Sequence, residues 1–344
     1  MEAKDILVSQ IQEPTANDKR ALLVGIDEYA NARRLDAAHA DVKSIHERLA
    51  QHADGSPNYA CELPARDGRF TKRELMQACK RLFHPSFRGD ALFYFSGHGV
   101  IESTGGIFAT SDGQEDDWGV SMHDVVELAR NSNARTVTIL ADCCHAGAFA
   151  DGPGVAGGVR NTVASIREDM TLLAASRATQ TAVESSTHGI FTQAVLDALD
   201  GAAADAMGWV TPSAIYDLVE RRFGAWDQRP VYKSHVTRSM VIRKCAPLIE
   251  RHALARLVNL FSTADYKYPL EPAHDPEDEC GHMAAPVDEA KLEIGRLFKR
   301  YRDAGLLRPS IASEQLFWTA RRSHTVELTM RGREYWGLVK RGRL

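Results

Sequence analysis

Three near-continuous apolar segments constrain the fold of this chain more than any other feature. They cover residues 90–99 (DALFYFSGHG), 134–144 (ARTVTILADCC) and 170–176 (MTLLAAS), and helical patterns separate them. Such runs are typical of strands covered on both faces, as in parallel sheets. We therefore predict an α/β fold with a mostly parallel sheet, helices on both faces and right-handed crossovers.

Weaker patterns extend the predicted sheet. Residues 20–27 (RALLVGID) predict a first strand before an amphipathic helix, and Thr71 with Glu74 forms a capping box that starts the next helix. Further strands are predicted at 59–63 and 239–244, and further helices at 189–201 and 213–223. The first domain is therefore expected to span 18–245, after an N-terminal tail at 1–17.

Composition indicates an ordinary soluble globular protein, with 44% hydrophobic and 26% charged residues. The formal net charge of -4 provides no general attraction for nucleic acid. The N-terminal residues lack a charged start followed by an apolar core, and no apolar run approaches the roughly 18 residues of a membrane span. We expect a cytoplasmic protein without a membrane partner. The six cysteines lack the spacing of a disulfide framework, which predicts free thiols.

Two motifs follow predicted neighbouring strands. The histidine of SGHG is His98, and DCCHAG begins at Asp142 and contains Cys143 and Cys144. In parallel sheets, active groups lie just beyond the carboxyl ends of the strands, so a thiol and a base can converge there. Taken singly, His98 can also be a turn residue and the cysteines packed core thiols. The residues alone do not decide which cysteine reacts.

These motifs resemble the caspase-like cysteine peptidases, within the metacaspase and prokaryotic caspase-homologue branch. The resemblance covers roughly 18–245. The similar segments are LLVGIDEY (22–29), LDAAHADV (35–42), YFSGHG (94–99), DCCHAG (142–147), TLLAAS (171–176), Gln180 and HGIFT (188–192). Ala146 departs from the pattern, since many relatives have serine there.

The resemblance implies a Cys–His dyad that needs no cofactor for its chemistry. Cys144 is then the nucleophile and His98 the general base, with an oxyanion hole formed by the N–H groups of Gly99 and Cys144. His145 becomes a flanking residue. Cys143 is expected to be packed, because its side chain points the opposite way along an extended segment.

Charge predicts the substrate preference. Asp142 lies two residues before Cys144, on the same side of an extended chain, and an anionic pocket favours Arg, with Lys second. The resemblance adds Asp41 and Ser96 to this S1 pocket, although Asp41 alone also fits a solvated helix residue.

A glycine-rich segment at 148–169 follows the cysteines and reads as a flexible loop. Cleavage at Arg160 or Arg167, by the enzyme itself or by an upstream protease, is a hypothesis for activation. A plain surface loop is the alternative.

Acidic residues near this region raise a calcium hypothesis. The resemblance suggests calcium ligands among Asp112, Glu115, Asp116, Asp117 and Asp151, and such hard oxygen ligands suit the ion. Acidic loop clusters are more often simply solvated, so we expect no required metal at the site.

Residues 246–344 show a different pattern of predicted helices and strands. Two helices, a short strand pair and a terminal helix resemble a small α+β winged-helix domain, with an acidic, proline-rich loop at 268–286. The last helix carries the basic residues Arg331, Arg333, Lys340, Arg341 and Arg343. Nearby acids offset this charge, so recruitment of a protein partner or regulation is favoured over nucleic-acid binding.

The leading hypothesis is a cysteine endopeptidase that cleaves proteins after Arg. Loop cleavage or a partner, such as an upstream protease or adaptor, would activate it, and analogy places it in bacterial signalling or antiviral defence. The alternatives are a catalytically silent caspase-like scaffold and a DNA-binding regulator that acts through the winged-helix domain.

Overall fold

The computed structural model describes residues 18–65, 67–102, 105–143, 166–175, 188–223, 230–275 and 288–344. The chain divides into two compact units. The first comprises the described residues up to 204 together with 209–245, and the second comprises 205–208 and the described residues from 246 to 344. Along the described chain, no helix combines the length and apolar character needed to cross a membrane.

The first unit alternates strands and helices. In chain order its elements are β1 (Lys19–Gly25), α1 (Ala38–Leu49), β2 (Ala60–Glu62), α2 (Lys72–Leu82), β3 (Asp90–Gly97), β4 (Gly99–Glu102), β5 (Gly105–Gln114), β6 (Asp117–Ser121), α3 (Met122–Arg130), β7 (Thr136–Cys143), β8 (Met170–Ala174), α4 (Ile190–Asp197) followed by a π-helical turn (Ala198–Ala202), β9 (Trp209–Val210), α5 (Pro212–Arg222), β10 (Val231–His235) and β11 (Arg243–Lys244).

The main sheet has the order β10-β8-β7-β3-β1-β2. All neighbouring pairs are parallel except β10 with β8, which is antiparallel. The prediction of a mostly parallel sheet is therefore confirmed. The predicted last strand at 239–244 is wrong in extent, since only Arg243 and Lys244 form a strand, which pairs with β9 outside the main sheet. The edge strand β10 was missed because its sequence, VYKSH, has no apolar run and is half exposed.

Both faces of this sheet are covered, as the apolar runs predicted. One face packs against α2 and α3 around Phe93 and Phe95, and the other packs against α1, α4 and α5 around Tyr94. The alternation of buried side chains along β3 and β7 assigns successive residues to opposite faces. The position of a residue within these strands therefore decides which layer it meets.

Polar contacts at the helix starts set the helix positions. The predicted capping box of α2 is confirmed, because the Thr71 side chain accepts from the Glu74 N–H and the Glu74 carboxylate accepts from the Thr71 N–H. Asp27, just beyond β1, accepts from the N–H groups of Ala38 and His39 at 2.9 and 3.0 Å. Its carboxylate thus connects the end of β1 to the start of α1. The negative charge also interacts favourably with the positive end of the helix dipole.

A second, antiparallel sheet, in the order β4-β5-β6, follows β3 directly. The sequence pattern did not predict this sheet, since its strands mix glycines and polar residues with few apolar ones. Its strand β5 contributes Phe108 to the same core layer as Phe93 and Phe95. This small sheet therefore anchors the chain immediately after His98.

The second unit has its own apolar core, which includes Phe261, Phe298 and Tyr301. Its elements are α6 (Arg251–Ala255), α7 (Leu257–Leu260), β12 (Tyr268–Pro269), a 3-10 turn (Pro272–His274), α8 (Glu289–Asp303), β13 (Leu307–Pro309), α9 (Leu316–Arg321), β14 (Thr325–Leu328) and α10 (Met330–Lys340). The two strands of the expected wing do pair antiparallel, but helix α9 lies in the connection between them. Helix α9 was not predicted from the sequence.

Candidate active site

Asp41, Ser96 and Asp142 lie together at the carboxyl edge of the main sheet. Ser96 is the direct register partner of Asp142 across β3 and β7, so both side chains leave the sheet on the face covered by α1. The Ser96 hydroxyl donates to Asp41 Oδ2 at 2.8 Å. All three residues are less than a tenth exposed. The structure thus brings together the three residues assigned to the S1 pocket, as a buried acidic cluster.

Asp142 is held by the first turn of α4. Its Oδ2 accepts from the Thr192 hydroxyl at 2.6 Å and from the Thr192 N–H at 3.2 Å. The same hydroxyl lies 2.6 Å from Tyr94 Oη, deep in the core layer. Because the N-terminus of a helix carries partial positive charge, this contact stabilises an anion at Asp142 without a basic side chain.

Asp41 is held by His188, a residue for which the sequence predicted no role. His188 Nδ1 lies 2.7 Å from Asp41 Oδ1, and His188 Nε2 lies 3.4 Å from the Ser44 hydroxyl one helical turn along α1. The imidazole is largely buried, with 15% of its side chain exposed. The motif HGIFT contained His188, but no spacing rule related it to a helix almost 150 positions earlier.

The environment of Asp41 raises its carboxyl pKa to about 6, first through burial and then through the nearby Asp142 charge. Hydrogen bonds from His188 and Ser96 act in the opposite direction and favour the ionised form. Asp41 therefore titrates within reach of neutral pH, and its charge depends on the two groups that donate to it.

His98 lies directly after β3, between the main sheet and β4. Its backbone N–H donates to the Tyr29 hydroxyl at 2.8 Å, and that hydroxyl donates to the Ile26 carbonyl at 2.9 Å. The two rings are in contact, with centroids 4.7 Å apart. Gly97 makes this possible, because a Cβ there would lie 2.7 Å from Tyr29 Oη. Tyr29 thus positions the backbone of His98.

The imidazole of His98 is oriented by a backbone carbonyl. Its Nε2 lies 2.7 Å from the carbonyl oxygen of Arg33, which can only accept a hydrogen bond. Nε2 therefore carries the proton, and Nδ1 is the basic nitrogen of the neutral ring. A base oriented by a third group is the arrangement that activates a catalytic thiol. Here that third group is Arg33, through its carbonyl and not its side chain.

The segment that presents the Arg33 carbonyl is fixed on both sides. Leu35 N–H donates to the Asp27 carbonyl at 3.0 Å, and Ala30 N–H donates to the Ser111 carbonyl at 2.9 Å. The Asn31 side chain donates to the Gly113 carbonyl at 2.9 Å. Strand β5 and the end of β1 thereby hold this loop against His98.

Gly99, assigned to the oxyanion hole, begins β4. The Ala109 N–H donates to the His98 carbonyl at 3.0 Å, and the next pair along this antiparallel ladder is Gly99 with Phe108. Because hydrogen-bonded and non-bonded pairs alternate in such ladders, the Gly99 N–H is directed away from β5. The Gly99 N–H therefore does not donate to β5 and is turned towards the other side of β4.

Only one of the two adjacent cysteines, Cys143, lies among the described residues. Cys143 is 3% exposed and packs in the core layer opposite Asp142, which confirms the prediction that it is a packed thiol. Cys144 and His145 lie outside the described residues. The parallel register of β3 and β7 ends with Gly97 opposite Cys143, which are the residues that precede His98 and Cys144 in the sequence.

The other described cysteines do not resemble nucleophiles. None of the four cysteines in the described chain is in a disulfide, as the sequence predicted. Burial raises the pKa of both the Cys61 and the Cys79 thiols to about 12, and burial also raises the pKa of Cys245. Thiols in such surroundings yield little thiolate near neutral pH.

Two described members of the proposed calcium set, Asp112 and Asp117, contact protein groups. Asp112 accepts from the Lys72 N–H at the start of α2, at 2.9 Å, and from the Thr110 hydroxyl at 2.8 Å. Asp117 pairs with the Lys72 ammonium group. Among the described residues no group of three His, Cys, Asp or Glu side chains is arranged to hold a metal ion, and Asp151 lies outside them.

Only one of the two candidate processing residues, Arg167, lies among the described residues. Arg160 lies outside the described residues. Arg167 precedes β8, and its guanidinium donates to the carbonyls of Ala134 at 2.6 Å and Glu168 at 2.8 Å. Burial lowers its pKa. Arg167 thus has a packing role at the amino edge of the sheet.

The contact between Gly97 and Tyr29 predicts a coupled pair of substitutions. Gly97→Ala should destabilise the protein by about 1–3 kcal/mol, because the new methyl overlaps Tyr29 Oη. Tyr29→Phe alone should cost about 1 kcal/mol by removing its hydrogen bonds. The double variant should lose less unfolding free energy than the two single losses added together, by roughly 1 kcal/mol. Urea denaturation of the four proteins measures this; strict additivity would contradict the proposed contact.

The raised pKa of Asp41 predicts a pH-dependent cost to stability. The folded protein binds this proton more tightly than the unfolded chain does, so stability should fall as the pH rises from about 4 to about 6. Asp41→Asn should therefore be more stable than the wild type at pH 7, by up to ~2–3 kcal/mol, and the difference should vanish near pH 4. Urea titrations from pH 4 to 8 test this. Asp36→Asn, at an exposed carboxylate, is the matched control, and identical pH curves for wild type and Asp41→Asn would refute it.

Comparison with known proteins agrees with the fold. The sequence model of the caspase domain matches residues 18–241, more than half of the chain. The match includes the main sheet, both motifs and the buried acidic cluster. No curated protein matches the sequence significantly. Members of the matched family are cysteine peptidases, and this chain belongs to the caspase-domain family.

Proposed function

We propose that this protein is a cysteine endopeptidase of the metacaspase type that cleaves protein substrates after Arg, with Lys second. The observation that carries the proposal is the buried cluster of Asp41 and Asp142 beside Ser96, at the sheet edge that also presents His98. The caspase-domain match supports the peptidase class. The branch and the specificity are our inference.

The charge of the cluster supports a basic substrate side chain. The hydrogen bonds of its two carboxylates come from the hydroxyls of Ser96 and Thr192, the Thr192 N–H and the His188 imidazole. Buried charges are costly unless they are paired, so two neighbouring carboxylates are complementary to an incoming cation. A guanidinium can donate to both at once, whereas an ammonium acts as a point charge, which ranks Arg above Lys. An aspartate side chain would be repelled.

The proposed reaction uses the geometry around His98. Nδ1 accepts the thiol proton of Cys144, while Nε2–H remains on the Arg33 carbonyl and stabilises the imidazolium. The thiolate attacks the carbonyl carbon of the scissile bond, and the N–H groups of Gly99 and Cys144 bind the oxyanion. The imidazolium then protonates the leaving amine as the C–N bond breaks. Water, deprotonated by the same nitrogen, hydrolyses the thioester.

Substitution of the adjacent cysteines tests the chemistry. Cys144→Ala should abolish hydrolysis of a peptide with Arg before the scissile bond, because none of the four thiols in the described chain lies at this edge in a reactive environment. Cys143→Ala should retain activity and lose about 1 kcal/mol of stability, since it removes one buried atom. Initial rates and denaturation curves measure both. The reverse result for activity would overturn the assignment, and an inactive wild type with intact peptide binding would favour the silent scaffold.

A substrate panel tests the specificity. Peptides that differ only by Arg, Lys, citrulline or Asp before the scissile bond should be cleaved in the order Arg, Lys, citrulline, with Asp not cleaved. Asp142→Asn should reduce kcat/KM for Arg by at least tenfold, since it removes one of the two carboxylates. A preference for Asp would refute the pocket argument.

We also propose that cleavage after Arg160 activates the enzyme. Arg167 is the weaker candidate, because cleavage there would first have to break its bonds to the Ala134 and Glu168 carbonyls. Intact mass of the purified protein should show two fragments divided after Arg160 in the wild type and in Arg167→Gln. Arg160→Gln and Cys144→Ala should stay whole. Cleavage in the Cys144→Ala variant would instead indicate an upstream protease.

For the second unit we propose a role in partner recruitment, as part of bacterial signalling or defence by analogy with the resembled branch. Several of its basic side chains are already paired with acids. These pairs are Arg308–Glu327, Arg321–Asp275, Arg322–Glu314 and Arg333–Asp265. Such pairing leaves less positive charge for phosphates and weighs against a DNA-binding regulator. The winged-helix assignment remains part of this proposal.

A further inference from the structure

His188 and the first turn of α4 contact both carboxylates of the acidic cluster. His188 Nδ1 lies 2.7 Å from Asp41, and four residues later Thr192 donates twice to Asp142. The intervening Gly189 begins α4 with an extended backbone conformation. One short segment therefore aligns two acids that arrive from different elements, α1 and β7.

The polar contacts of the imidazole connect it to the acidic cluster. Its two ring nitrogens lie beside Asp41 and Ser44 on α1, and Asp41 also accepts from Ser96 on β3 and lies near the charge of Asp142. Thr192 on α4, four residues after His188, donates to Asp142. The imidazole therefore meets a carboxylate at Nδ1 and can donate to it there.

We propose that His188 is the positioning residue of the substrate pocket: it holds Asp41 as an aligned carboxylate, and the site thereby selects a guanidinium over a neutral isostere. This inference rests on the proposed function, because it assumes that Asp41 meets the basic side chain of the substrate. His188 does not take part in the bond-breaking step.

The electrostatics of Asp41 support this role. Burial and Asp142 raise the carboxyl pKa to about 6, while hydrogen bonds from His188 and Ser96 lower it. Without His188 the pKa of Asp41 should rise further, so more of the site would be neutral at pH 7. A neutral carboxyl attracts a guanidinium less strongly, but its interaction with an uncharged urea group changes little.

The experiment compares binding of two peptides to the full chain with Cys144→Ala as background. The peptides are identical except for Arg or citrulline before the scissile bond, and calorimetry gives both dissociation constants between pH 5.5 and 8.5. In the background protein the Arg peptide should bind more tightly, and this preference should fall as the pH decreases. His188→Ala should reduce the Arg preference about tenfold at pH 7. The pH below which the preference disappears should also be higher in this variant.

Two further variants separate positioning from folding. His188→Asn retains an N–H donor near Asp41 and should restore much of the preference at pH 8. His39→Asn, at an exposed position on α1, the helix that carries Asp41, should leave both dissociation constants unchanged. An equal loss of affinity for both peptides in His188→Ala, or no rescue of the Arg preference by His188→Asn, would mean that His188 only supports the fold. The inference would then be wrong.

The outcome also distinguishes this inference from the proposed function. If the background protein binds the Arg and citrulline peptides equally, the basic specificity itself fails, and the inference fails with it. If it prefers Arg but His188→Ala leaves the preference and its pH profile unchanged, the specificity stands and only the role of His188 is refuted.

Discussion

The direct pairing of Ser96 with Asp142 across β3 and β7 is the constraint on which the whole site depends. Because paired residues in a sheet share a face, this register directs both side chains towards α1 and directs Cys143 into the opposite layer. A shift of one residue would reverse all of these directions at once. The large apolar side chains earlier in both strands make such a shift costly. Core packing, and not a polar contact, therefore determines where the acids lie.

The acidic cluster shows how a protein can hold like charges close together. Asp41 and Asp142 destabilise one another, and burial adds to that cost. Asp41 receives hydrogen bonds from Ser96 and His188, and Asp142 receives two from Thr192. Such an arrangement is expected where stability is given up for recognition, because an uncharged cluster of the same shape would fold more readily.

Apolar runs were sufficient to predict the parallel strands, and the capping box predicted the start of α2. They could not reveal β10, whose half-exposed residues carry no apolar run, or the β4-β5-β6 sheet with its glycines. At the site, the resemblance of the motifs led to His98 and to the acids. The Arg33 carbonyl was beyond prediction, since every residue has one. His188 was equally hidden, because only the folded chain brings it to Asp41.

The two carboxylates of the cluster are stabilised by different groups. Asp142 faces the start of α4, where the positive end of the peptide dipoles is permanent and insensitive to proton concentration. Asp41 faces the His188 imidazole and the Ser96 hydroxyl, and burial beside Asp142 raises its carboxyl pKa to about 6, so its own charge falls as the pH decreases towards that value. The pocket therefore combines a fixed dipole at one carboxylate with a pH-dependent charge at the other, and the surrounding pH can change the potential of the pocket while its shape stays the same.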